Sequence, residues 1–302
     1  MADTLLKFLF RGAPVRGEIV RLQASWRQMV ANHRYPAPVT RLLGEMTAAA
    51  ALLATNIKFD GALLLQIQGN GPVRLLVVEV QPGMRLRATA KLRETTVIGA
   101  DATLQQLTNP DGDARCAITL DPTGRRPGQQ PYQGVVPLAG ESIAQVLESY
   151  LRQSEQVESR LWLAADETAA AGVLLQKLPQ EGGAAKPDAD AWQRTGALTS
   201  TLTREELLSH EPGALARRLY WEEQLEHFAP VEPRFECTCS RSRSGRMLLA
   251  LGREEVDSIL AERGDVEITC DFCNARYAFD AVDVGQLFAS GATREADAST
   301  RH

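Results

Sequence analysis

Residues 62–90 read Ala62-Leu-Leu-Leu-Gln-Ile-Gln68, Gly69-Asn-Gly-Pro72, Val73-Arg-Leu-Leu-Val-Val-Glu-Val80, Gln81-Pro-Gly83 and Met84-Arg-Leu-Arg-Ala-Thr-Ala90. Two apolar runs flank Gly-Asn-Gly-Pro, a sequence suited to the backbone angles of a β-hairpin turn. After the second turn, Met84, Leu86, Ala88 and Ala90 alternate with Arg85, Arg87 and Thr89, the period of a strand with one wet face. Residues 62–90 are therefore antiparallel sheet.

Outward from this stretch the period changes. Ala37–Lys58 is alanine-rich, with Leu42, Leu43, Met46, Ala49, Ala50 and Leu53 recurring at helical spacing. Thr4–Phe10, Ala114–Leu120, Tyr132–Leu138, Arg160–Ala164 and Gly172–Leu178 read as strands, and Glu141–Gln153 as a helix. Hairpin strands with helices interposed define an α+β class rather than a doubly wound parallel sheet. Residues 180–190 are a Gly, Ala and Pro-rich linker. Trp192–Phe228 reads as helices, with Thr203-Arg-Glu-Glu206 as a capping box and Leu215, Leu219, Leu225 and Phe228 as an apolar face. This segment carries few large apolar residues, so it should be marginal alone and rest on something else. Four segments are expected: an α+β core over 1–179, a linker and helical middle over 180–232, a small module over 233–290 and a disordered tail over 291–302.

With 302 residues, 44% apolar and 24% charged, the chain has the composition of a globular protein with a sizeable core. The N-terminus lacks a secretory apolar run, and Met46–Ile57 is too short to cross a bilayer, so a soluble cytoplasmic protein without membrane partners is expected. Residues 1–179 carry 19 Lys and Arg against 16 Asp and Glu, whereas residues 234–290 carry 7 against 10. The C-terminal module is thus acidic.

Four of the five cysteines fall in that module, as Cys237-Thr-Cys239 and Cys270-Asp-Phe-Cys273. Two close pairs in a cysteine-poor chain have the spacing of a Cys₄ zinc site, since thiolates are soft ligands and a tetrahedron needs two short loops brought together. No histidine lies near the pairs, so the site is all sulfur and closed. A module this small is marginal without metal, and structural zinc supplies roughly 10–16 kcal/mol of apparent binding energy. A disulfide within C-x-C closes a tight ring and is easily reduced, which suits regulation better than architecture. Zinc-bound thiolates are open to peroxide and hypochlorous acid. The remaining cysteine, Cys116, lies in an apolar strand and reads as a buried small hydrophobe.

Phe235-Glu-Cys-Thr-Cys-Ser240, Glu254-Glu-Val-Asp-Ser-Ile-Leu260, Cys270-Asp-Phe-Cys273 and Tyr277-x-Phe279 resemble the redox-regulated 33 kDa heat-shock chaperone family of bacteria. Tyr35-Pro36, Lys58-Phe-Asp-Gly61, Gln68–Pro72, Tyr132-Gln-Gly-Val135 and Ser149–Gln156 extend the resemblance over essentially the whole chain. It implies an ATP-independent holdase for unfolding client proteins and not an enzyme. It also implies that the reduced protein holds one Zn²⁺ through Cys237, Cys239, Cys270 and Cys273 and is inactive. The resemblance further implies that oxidation of Cys270 with Cys273, then of Cys237 with Cys239, releases the metal and unfolds the module and helical linker. The active form is expected to be a homodimer.

Two rival readings compete. A zinc-ribbon nucleic-acid binder would use Arg241, Arg243 and Arg246, but the acidic module lacks a basic stripe and these arginines read as a solvated loop. A thiol–disulfide oxidoreductase would open a helix with its C-x-x-C, whereas Cys270 follows the strand-like Val266-Glu-Ile-Thr269. No hydrolase set, phosphate loop or dinucleotide fingerprint is identifiable in the sequence.

Overall fold

A computed structural model describes residues 2–56, 60–94, 97–124, 130–179, 188 and 190–289. Most of the expected linker, positions 57 and 58 of the expected helix Ala37–Lys58, and the tail 291–302 lie outside the described residues. The chain divides into two compact units, residues 1–236 and 237–302.

The first unit contains β1 (Thr4–Phe10), β2 (Val15–Leu22), α1 (Ala24–Val30), α2 (Ala37–Ala54), β3 (Gly61–Gln68), β4 (Val73–Gln81), β5 (Arg85–Leu92), α3 (Leu104–Thr108), β6 (Arg115–Pro122) and β7 (Tyr132–Pro137). It continues through α4 (Ile143–Ser154), β8 (Ser159–Ala165), β9 (Ala170–Lys177), α5 (Ala191–Ser200), α6 (Arg204–Ser209), α7 (Pro212–Leu219), β10 (Leu225–His227) and β11 (Arg234–Phe235). These strands form two sheets, ordered β10-β1-β2-β9-β8 and β11-β5-β4-β3-β6-β7. The α+β class read from the sequence is the class observed.

The opening stretch forms the centre of the second sheet. β3 and β4 pair antiparallel with Leu65 opposite Val78, and β4 pairs β5 with Val78 opposite Ala88. The turn glycines are set by close approach. A Cβ on Gly69 would lie 2.4 Å from the Val73 carbonyl, and one on Gly71 would lie 2.6 Å from that of Leu107. Helix α2 packs against β2, β8 and β9 on one side and β3, β4 and β5 on the other. All six residues expected on its apolar face are buried, and so are Ala48, Ala51 and Leu52. A helix buried on all sides between two sheets explains the alanine content, because small side chains let both sheets approach.

The outer face of the first sheet presents Leu6, Phe8, Phe10, Val15, Ile19, Ala171, Val173 and Leu175. These residues pack with Trp192, Leu207, Leu208, Leu215, Ala216, Leu219 and Tyr220 of the 190–220 helices. Tyr220 meets Phe10 edge-on with ring centroids 4.9 Å apart. Polar contacts fasten the same cover. The Arg21 guanidinium donates to the Leu208 carbonyl at 2.7 Å and pairs with Glu211 at 2.9 Å. Trp192 Nε1 donates to Glu158 at 2.9 Å, and Arg160 lies over the Trp192 ring. The marginal helices do rest on something else: the apolar sheet face.

One expectation fails after α7. The helix stops at Leu219, and Leu225, expected on a helical apolar face, begins the strand β10 paired with Phe8–Phe10. The unpaired edge of β1 offers main-chain partners that a weak helix carrying Glu222, Glu223 and Glu226 cannot match. Leu5 and Val231 exchange both main-chain hydrogen bonds at 2.9 Å, and β11 then runs parallel to β5, with Arg234 N–H on the Met84 carbonyl.

The second unit contains α8 (Arg241–Leu251), α9 (Arg253–Arg263), β12 (Val266–Thr269), β13 (Arg276–Phe279) and helical residues 281–289. Its buried apolar core is small: Leu248, Val256, Val266, Phe279 and Val284. The stretch with Arg241, Arg243 and Arg246, expected as a solvated loop, is the start of α8. Ser240 caps it by accepting the Arg243 N–H, a local signal that outweighs the poor helix propensity of Ser and Gly.

Candidate metal centre

Two short loops build the site. Cys237 and Cys239 lie between β11 and the Ser240 cap of α8, while Cys270 and Cys273 occupy the β12–β13 turn. That turn is tied by Cys270 N–H on the Ala275 carbonyl and Asn274 N–H on the Cys270 carbonyl, both 2.9 Å, with Asn274 left-handed at φ 55°. The Arg243 guanidinium holds the other loop by donating to the Thr238 hydroxyl at 2.7 Å and its carbonyl at 3.2 Å.

No disulfide joins the four cysteines, and their sulfurs lie within 4.8 Å of one another. Cys237 and Cys270 Sγ are 3.6 Å apart, and Cys239 and Cys273 Sγ 3.4 Å apart. A tetrahedron with metal–sulfur bonds of about 2.3 Å has edges of about 3.8 Å, so four converging sulfurs fit a thiophilic dication such as zinc. The four cysteines singled out by spacing are the four whose sulfurs converge.

The electrostatics point the same way. Burial disfavours the Cys239 thiolate, but hydrogen bonds from the Tyr277 phenol and the neighbouring thiols outweigh it and hold its pKa below the usual thiol value. Burial raises Cys237, and burial with the three neighbouring sulfurs raises Cys273 despite the Ala275 N–H. Ionisation is thus easier at Cys239 and harder at Cys237 and Cys273, as crowding of like charges requires. A bound dication reverses that resistance. Tyr277, donating to Cys239 Sγ at 3.1 Å, has its own pKa pushed up to about 12 by that bond. Tyr277 and Arg243 are parts of the site that spacing rules did not reveal. Tyr277 stands across the hairpin, four residues beyond the last ligand.

Arg241 is used internally: it donates to the Ala278 carbonyl and Asp283, both at 2.6 Å, and stacks on Phe279. Cys116 is fully buried on β6, where burial pushes its thiol up to about 12. Among the described residues, no helix is long and apolar enough to cross a membrane.

A two-sheet α+β body followed by a four-cysteine module defines a class of protein with a small accessory unit able to hold a metal ion. The family model described as Hsp33 protein matches residues 3–280, and the chain belongs to that family. The chain is 46% identical over 289 residues to a 33 kDa chaperonin of Methylobacillus flagellatus, covering 95% of each chain. It is also 46% identical over 304 residues to one of Ectopseudomonas mendocina, covering both fully. The crystal structure of a 33 kDa chaperonin, a heat shock protein 33 homologue, from Thermotoga maritima superposes with a TM-score of 0.77 at 21% identity. It covers 96% of this chain and 99% of that one, and shows the shared fold. The family is one of chaperones, not of enzymes.

Proposed function

We propose that this protein is a redox-regulated, ATP-independent holdase of the cytoplasm. It would bind unfolding proteins under oxidative stress and stay inactive while reduced and zinc-loaded. The observation that carries the proposal is the convergence of four thiols which, among the described residues, have no other ligand type beside them, in a module whose described buried core is five residues. Zn²⁺, when bound, neutralises Cys237, Cys239, Cys270 and Cys273 and cross-links their two loops. The four-part division into core, linker and helical middle, zinc module and tail belongs to the same proposal.

Oxidation of Cys270 with Cys273, and of Cys237 with Cys239, forms two S–S bonds and passes two electrons per bond to the oxidant. Each bond removes two ligands. A module with so little apolar core then loses its fold. The chain leading into it, residues 224–236, is held by short pairings, so the helices over the first sheet lose an anchor. Their loss bares an apolar face rich in phenylalanine for clients, and the active form is a homodimer. The nucleic-acid reading loses support because Arg241 and Arg243 are engaged within the module.

Light scattering of a chemically unfolded client tests the proposal. Protein treated with hypochlorous acid should release its zinc and suppress aggregation, whereas reduced protein should do neither. Oxidised protein that keeps its metal, or that leaves aggregation unchanged, would refute the redox switch.

A further inference from the structure

The Tyr277 hydroxyl is a polar group at the thiol cluster that is not itself a ligand. It stands on β13, opposite Ile268 on β12, with its oxygen 3.1 Å from Cys239 Sγ. The ring packs against the small core of the module, and its strand is pinned on either side of the next residue. Arg241 donates to the Ala278 carbonyl, and Phe279 is buried beneath the same guanidinium. The phenol is therefore placed by the hairpin rather than free to swing.

We propose that Tyr277 is a positioning residue whose hydrogen bond restrains oxidation of Cys239 and so raises the oxidant exposure needed to dismantle the site. The inference rests on the reading of the four thiols as an oxidant-sensitive zinc site and names a regulator of it. In the step concerned, a lone pair of Cys239 Sγ attacks one oxygen of hydrogen peroxide. An S–O bond forms, the O–O bond breaks, and hydroxide leaves with the electron pair. The sulfur loses two electrons, and the peroxide gains them. Negative charge leaves the sulfur along this path, so a donor that binds the thiolate most strongly binds the transition state less well. The phenol hydrogen also occupies a lone-pair direction on the sulfur. A phenolic O–H is a stronger donor than the main-chain N–H groups that serve Cys237 and Cys273, so its effect falls unevenly on the cluster.

The test uses the full-length, reduced, zinc-loaded protein and its Tyr277→Phe variant, which keeps the ring and loses the hydroxyl. Under excess hydrogen peroxide, zinc release is followed with a chromogenic chelator, and thiol loss at each cysteine by alkylation and mass spectrometry. The variant should bind one zinc per chain and release it about three- to tenfold faster, the worth of one hydrogen bond. The gain should appear at Cys239. Release that is unchanged or slower overturns the proposal. In the Co²⁺-loaded proteins, the sulfur-to-cobalt charge-transfer band should move to lower energy in the variant, a shift that a packing role would not cause. Should Tyr277→Phe fail to hold metal, 3-fluorotyrosine at position 277, a stronger donor while protonated near pH 6, decides the matter. Slower release than wild type sustains the inference, and equal release overturns it. A wild-type protein that binds no zinc, or keeps it under peroxide, fails the zinc-site reading itself. Equal rates in wild type and variant fail only the role of Tyr277.

Discussion

Glu45 lies on α2 with its carboxyl largely removed from water. Burial raises its pKa to about 7, against the opposing pull of the Arg41 and Arg204 guanidiniums. The folded protein thus keeps a proton that the unfolded chain releases from about pH 4.5 upward. Stability from this group is complete below pH 4.5 and is lost as pH rises through 7. Glu45→Gln should therefore be neutral near pH 4 and stabilising by about 1–2 kcal/mol at pH 8. Urea denaturation at the two pH values checks this; equal stability at pH 8 would contradict it. Single residues were unevenly legible in the sequence. The four clustered cysteines were legible because soft-metal chemistry restricts both residue type and spacing, and Cys116 because an apolar strand surrounds it. Tyr277 was not, since a tyrosine in a strand gives no sign of which sulfur it will meet across a turn.

Helices α5, α6 and α7 show how an element with little cohesion of its own is held. The sequence revealed the Thr203–Glu206 capping box and the scarcity of large apolar residues, and both are observed. It did not reveal the seat, because β2 is disguised by charge. Arg16, Glu18 and Arg21 interrupt Val15–Leu22, yet Glu18 and Arg21 are buried and find partners at a distance: Lys7 and Thr55 for the first, Leu208 and Glu211 for the second. Arg21→Ala would leave the Leu208 carbonyl without that donor and Glu211 without its cation. A loss of about 2–4 kcal/mol in docking of the helices is expected. Hydrogen exchange over residues 204–219 should quicken while β3 and β4 stay protected. Uniform protection would show that Arg21 is dispensable. If the holdase reading is right, this variant should also bind clients with less oxidant.

Across the whole molecule the two units differ in what sustains them. Residues 1–236 enclose two extensive apolar clusters, whereas the module from 237 has one small one. Calorimetry of the reduced protein should show two transitions. A strong chelator with thiols kept reduced should abolish the module's transition and leave the main one largely in place. A single transition indifferent to chelator would contradict the metal-dependent module. This asymmetry was readable from the cysteine spacing and the module's length, while the covering of the first sheet was not, because it depends on pairings between residues some two hundred positions apart.

The tie formed by residues 224–236 has a consequence for solubility. It lies along the outer strand of both sheets, β1 in one and β5 in the other, and satisfies main-chain groups that would otherwise point outward. A raw outer strand is a template for lateral polymerisation. A chain ending at Glu223 should therefore polymerise as concentration rises, whereas one ending at Glu236 should go no further than the dimer. Analytical ultracentrifugation of the two truncations would read the difference directly, and identical behaviour would deny the tie this role. In thirteen residues this member of a chaperone family carries the guard against its own polymerisation.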